Sequence, residues 1–135
     1  MAKLLLIRGL PGSGKTTLAK QLIASGEYDV YFEADQYFER EDGPYDFRPL
    51  ELKDAHNFCF DSTLQALAKG KNVIVCNTFT RIWEMEKYLN LFGKSKTKVL
   101  TVTGNYGSVH NVPQKSIDAM RARWETFDGE TVKRD

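Results

Sequence analysis

Cysteine is scarce in this chain of 135 residues: Cys59 and Cys76 are the only two. Two thiols cannot build a disulfide framework, so the composition points to a reducing, cytoplasmic setting and to a fold held by its core. Long apolar runs are missing as well. Nothing approaches the ~20 residues that a membrane-spanning helix needs, and the opening Leu4-Leu5-Leu6-Ile7 run lacks the small-residue cleavage site of a signal peptide. Charge of one sign is also lacking: the formal net charge is +1, which excludes a generic polyanion binder. What is present is ordinary globular material, 41% hydrophobic and 27% charged, in a length that suits one domain.

The near-neutral total hides a split. Residues 1–26 carry Lys3, Arg8, Lys15 and Lys20 and no acid. Residues 27–61 hold eleven acids against Arg40, Arg48 and Lys53, and residues 62–135 hold twelve bases against seven acids. An anion site is therefore expected from the two ends of the chain, not from its acidic middle.

Hydrophobic patterning predicts strands at Lys3–Arg8, Tyr28–Phe32, Val73–Cys76 and Lys98–Val102. Between them, helical spacing predicts helices from Lys15 to Ile23, from about Pro49 to Ala68, and over Trp83–Phe92, with Gly26, Gly70 and Gly93 as stops. A last helix is expected after Pro113, with Ile117, Met120 and Trp124 on one face. Alternating strands and helices imply a parallel sheet covered on both faces. The fold class is α/β, a three-layer sandwich with a small, mainly parallel sheet in the order 2-3-1-4. One domain is expected over 1–127, with a frayed tail at 128–135.

The first strand–helix turn carries the chemistry. Gly9-Leu10-Pro11-Gly12-Ser13-Gly14-Lys15-Thr16 matches G-x-x-x-x-G-K-[ST]. Glycine dihedrals let consecutive N–H groups turn towards one anion, and the helix that follows adds its positive end. Gly9, Pro11, Gly12, Ser13, Gly14, Lys15, Thr16 and Thr17 are thus the expected cradle for ATP. Lys15 would reach the β- and γ-phosphates, and the Thr16 hydroxyl would ligate Mg²⁺.

Other motifs narrow the class. The strand Val73-Ile74-Val75-Cys76-Asn77-Thr78 ends without the carboxylate of a motor ATPase, and no Asn/Thr-Lys-x-Asp motif selects guanine. A small phosphotransferase remains, with a nucleotide-binding or ATPase module and a small-metabolite kinase as alternatives. A phosphotransferase needs a base near the γ-phosphate, and Asp35, just past the second strand, is the candidate. Glu33 reads as strand surface. His56 reads as a helix residue with a polar partner, and His110 is open between a turn hydrogen bond and a phosphate contact. Tyr31, Tyr37, Phe38, Tyr45 and Phe47, on the acceptor side, are open between aromatic core under a loop and stacking on a base or sugar.

In combination and in order, several blocks resemble the polynucleotide-kinase-like P-loop kinase domains. They are the P-loop itself, Ala34-Asp35-Gln36-Tyr37, Ala55-His56, Asn77-Thr78, Trp83-Glu84-Met85 with Tyr88, Val109-His110-Asn111-Val112-Pro113, and Ile117-x-x-Met120-x-x-Arg123-Trp124-Glu125. The resemblance implies a P-loop sandwich fold, ATP and Mg²⁺ at Lys15 and Thr16, Asp35 as catalytic base, and a short lid at about 104–113. It also implies a hydroxyl-bearing acceptor such as a nucleic acid 5′ end or a nucleotide. The chain departs from that pattern at Phe38 and Asn77, where a substrate-side Arg and Asp are usual, and in a lid with no Arg or Lys between Gly104 and Pro113. Arg123, with Arg121 second, is the expected replacement for the missing lid bases.

Overall fold

In the computed structural model, residues 2–34, 36, 51–93, 96–104, 112–127 and 129–133 are described. Five strands form one sheet: β1 (Leu4–Arg8), β2 (Val30–Phe32), β3 (Val73–Asn77), β4 (Thr97–Val102) and β5 (Thr131–Lys133). Their order is β2-β3-β1-β4-β5 and every pairing is parallel. The helices are α1 (Lys15–Ala24), α2 (Leu52–Ala68), α3 (Trp83–Phe92) and α4 (Gln114–Ala122).

β1 lies at the centre and is buried along its whole length, which explains its unbroken apolar run. Side chains alternate across the sheet. Leu5 and Ile7 pack with Ala19 and Ile74 under α1. Leu4 and Leu6 face the opposite layer, with Cys59 of α2 and Met85, Tyr88 and Leu89 of α3. Tyr31 belongs to the α1 layer, where it packs against the core instead of lining an acceptor loop. Both cysteines are buried. Burial pushes the thiols of Cys59 and Cys76 up, so they act as small core residues and not as nucleophiles.

The predicted helices and first four strands are found within a few residues of their expected limits. The C-terminal end differs. The expected frayed tail instead supplies β5, with Leu100 opposite Thr131 and Val102 opposite Lys133. Only one apolar residue, Val132, sits in this strand, and it is 43% exposed. Polar contacts therefore order the segment: the Glu130 carboxylate accepts from the Thr101 hydroxyl, the Phe127 N–H and the Arg8 guanidinium. These partners are distant in sequence, and no local pattern announces them. Trp124 also departs from expectation: α4 ends at Ala122, and the indole lies beyond it, over Arg8.

Candidate active site

Parallel strands bring their carboxyl ends to one edge, and the register places Arg8 of β1 beside Asn77 of β3 and Thr101 of β4. The loop after β1 therefore opens in the middle of that edge. Its first residue has to be glycine. A Cβ at Gly9 would come within 2.9 Å of the Val102 carbonyl oxygen at the end of β4, and that backbone cannot yield. Gly14, with φ at 97°, caps α1 in a left-handed conformation that turns the chain into the helix. The first-turn N–H groups of α1 then point out of the helix into the loop.

The polar groups of the loop fit a phosphate chain. The Ser13 hydroxyl is buried and has no hydrogen-bond partner among the described residues, an orphan that a bound oxyanion would satisfy. Lys15 Nζ donates to the Gly9 and Leu10 carbonyls, both at 3.0 Å, so the ammonium lies folded across the mouth of the loop. Below it, the Cys76 thiol faces the Lys15 carbonyl at 3.8 Å and closes the floor.

Glu33 is a correction to the sequence reading. It is not strand surface: it follows β2 and accepts the Thr16 hydroxyl proton at 2.9 Å. A carboxylate thus meets the hydroxyl expected at a metal, a pairing that no sequence spacing reveals because 17 residues separate the two. No group of three or more His, Cys, Asp or Glu suited to holding a metal occurs among the described residues. A cation here would complete its shell with phosphate oxygens and water, as Mg²⁺ commonly does. Asn77, in the position where a carboxylate is usual, is occupied structurally. Its Oδ1 accepts the Ala34 N–H at 2.9 Å, which ties the end of β2 to β3, and its amide faces Cys59.

A second set of contacts lies beside the loop. Arg8 is completely buried. Its Nε and Nη2 donate to the Phe79 carbonyl at 3.1 and 2.6 Å, and Nη2 also reaches the Glu125 carbonyl at 2.7 Å. Nη1 pairs with Glu130 at 3.4 Å, and the guanidinium stacks 4.0 Å from the centre of the Trp124 ring. Burial lowers the Arg8 pKa, while Glu130, Glu84 and Glu125 pull it back up. Of the bases near the N-terminus, Arg8 is therefore committed to structure and Lys15 to the loop. The doubly held Phe79 carbonyl belongs to a residue at φ 46°, strained for a non-glycine side chain. Arg8 fixes that turn, and with it the start of α3.

The expected arginines lie at the same edge in different situations. Arg123 caps α4 and its Nε donates to the Thr80 hydroxyl at 3.2 Å. Arg121 pairs outward with Asp118 at 3.5 Å on an exposed face. His56 is half-buried in α2. Asp35, Tyr37, Phe38, Tyr45, Phe47, His110 and most of the expected lid fall outside the described residues.

A family model described as an AAA domain matches residues 4–106. The chain belongs to that family. This AAA domain is 39% identical over 98 residues to the human NEDD4-binding protein 2; the match takes in 72% of this chain but 6% of that protein. Its fold matches an unliganded sugar kinase from Janibacter sp. HTCC2649, with a TM-score of 0.71, 15% identity and coverage of 100% of this chain and 85% of that one. It also matches a chain of the Pnkp1/Rnl/Hen1 complex, with a TM-score of 0.62, 20% identity and coverage of 99% and 46%. The P-loop α/β fold class expected from the sequence stands, with β5 extending the expected strand order. No helix among the described residues of this AAA domain is long and apolar enough to cross a membrane.

Proposed function

We propose that this domain is an ATP- and Mg²⁺-dependent phosphotransferase that acts on a hydroxyl acceptor. The carrying observation is the cradle: the orphaned Ser13 hydroxyl, the folded Lys15 ammonium and the Thr16–Glu33 pair converge at the opening of α1. Lys15 would exchange two carbonyl contacts for phosphate oxygens. Thr16, backed by Glu33, would hold Mg²⁺, whose charge offsets that of the β- and γ-phosphates.

Asp35 is proposed as the base that takes the acceptor's proton. The acceptor oxygen forms a bond to the γ-phosphorus, the bond from that phosphorus to the β,γ-bridging oxygen breaks, and ADP departs. Arg123 is proposed to approach the transferred group, since the planar fork of an arginine suits charge spread over equatorial oxygens. Nucleic acid 5′ ends, nucleotides and small polyols are the acceptor classes to try, and the reaction is proposed to belong to the cytoplasm.

The decisive assay follows label from γ-labelled ATP into a panel of hydroxyl acceptors, against hydrolysis in buffer. Label in at least one acceptor is expected. Release as inorganic phosphate alone, whatever the acceptor, would make this a hydrolysing module. Two variants probe the cradle. Lys15→Ala removes a charge-assisted contact worth about 1.5–3 kcal/mol, so ATP affinity by calorimetry should fall about ten- to a hundredfold. Undiminished binding would refute the cradle. Glu33→Gln keeps the size but not the charge beside Thr16, and the Mg²⁺ concentration for half-maximal transfer should rise by about tenfold or more. An unchanged Mg²⁺ titration would leave Glu33 without a role at the metal.

A further inference from the structure

The most exposed large apolar side chain among the described residues is Trp83, at 68%. It opens α3, in which Met85, Tyr88 and Leu89 are buried. At about 100° per residue, Trp83 stands about 200° from Met85 and so points away from the core. Yet the backbone that carries it is tightly held. The Ile82 N–H donates to Glu125 Oε1 at 2.8 Å, and Glu84 Oε2 accepts from the Thr80 hydroxyl and the Arg81 N–H at 3.0 and 3.2 Å. Upstream, Arg8 pins the strained Phe79 and reaches the Thr80 carbonyl at 3.4 Å. Trp83 is therefore an exposed indole on a pre-organised turn.

Its position is equally specific. The turn leaves β3 at Asn77, the register partner of Arg8, which immediately precedes the P-loop. Trp83 follows three residues after Thr80, so their Cα atoms lie within about 11 Å. Two guanidinium groups flank the turn: Arg81, 45% exposed and 3.7 Å from Glu125, and Arg123, on the Thr80 hydroxyl. An exposed aromatic two residues from Arg81, on the turn that leaves the strand edge carrying the phosphate cradle, suits a planar ring joined to an anionic backbone.

We infer that Trp83 is an acceptor-side stacking platform, selecting acceptors that carry a nucleobase over open-chain polyols; this rests on the kinase reading above. Arg81 would face the phosphates that adjoin the stacked base. Every base offers a π-face, so the platform would favour base-bearing acceptors with little regard to sequence.

The test uses the whole chain and three probes: a short 5′-hydroxyl oligonucleotide, adenosine and gluconate. The chain has two tryptophans, and Trp124 is stacked on Arg8, so Trp83→Phe isolates the exposed emitter. Oligonucleotide and adenosine should quench the parent's fluorescence, gluconate should not, and Trp83→Phe should abolish the change. Trp83→Ala should weaken binding of the labelled oligonucleotide, followed by anisotropy, by about five- to a hundredfold, and Trp83→Phe should restore part of it. The acceptor KM should rise in Trp83→Ala with little change in kcat, and circular dichroism should match the parent. Parent-like oligonucleotide affinity in Trp83→Ala, or quenching by gluconate alone, would overturn the platform. Failure of the kinase reading looks different: base-dependent quenching would persist while no acceptor receives label.

Discussion

Arg8→Ala is expected to cost about 3–5 kcal/mol of folding stability, the range for breaking a buried ion pair from one side. Glu130, at 6% exposure, would lose its cation, and the Phe79 and Glu125 carbonyls would lose their donors. Each unmet buried group adds a desolvation penalty, and the left-handed Phe79 would lose the contact that over-determines it. For a domain of ordinary stability, about 5–15 kcal/mol, this is a large fraction. Arg8→Lys should recover little, because an ammonium cannot serve four separated acceptors and stack on Trp124 as well. Urea denaturation should show a lower midpoint with an unchanged slope, and a double-mutant cycle with Glu130→Ala should be strongly non-additive. A loss below about 1 kcal/mol in Arg8→Ala would show that the clasp contributes nothing of note.

The second large effect is chemical. Asp35→Asn is nearly isosteric and cannot take a proton, so transfer should drop by about 10²–10⁴, the range for a positioned general base. ATP affinity should stay close to the parent value, since the proposed cradle runs from Gly9 to Thr17 and does not include Asp35. Single-turnover transfer, measured beside calorimetry on the same protein, separates the two quantities. Equal rates in parent and variant would remove Asp35 from the mechanism.

Much of this domain was legible because its signals are local. Unbroken apolar runs mark β1 and β3, positive-φ glycines close α2 and α3, and the P-loop announces itself within eight residues. The parallel α/β class follows from the alternation of elements. Lys15 and Thr16 could be singled out as candidates because the motif itself fixes their places in the loop.

Where the partners lie far apart in sequence, only the tertiary structure decided. Glu33 looked like strand surface until Thr16, 17 residues away, met its carboxylate. The C-terminal residues looked too polar to order, because their stabilisation is a charge at Glu130 meeting Arg8 across 122 residues rather than an apolar run. Arg8 itself reads as one more base beside an anion site, while burial and five acceptor contacts assign it to structure. Local sequence determines which backbone conformations and which core faces are favourable, since those depend on neighbours in the chain. It does not determine which polar groups meet on closure of the sheet, because hydrogen bonds and ion pairs act over about 3–4 Å, a proximity that only the folded sheet creates.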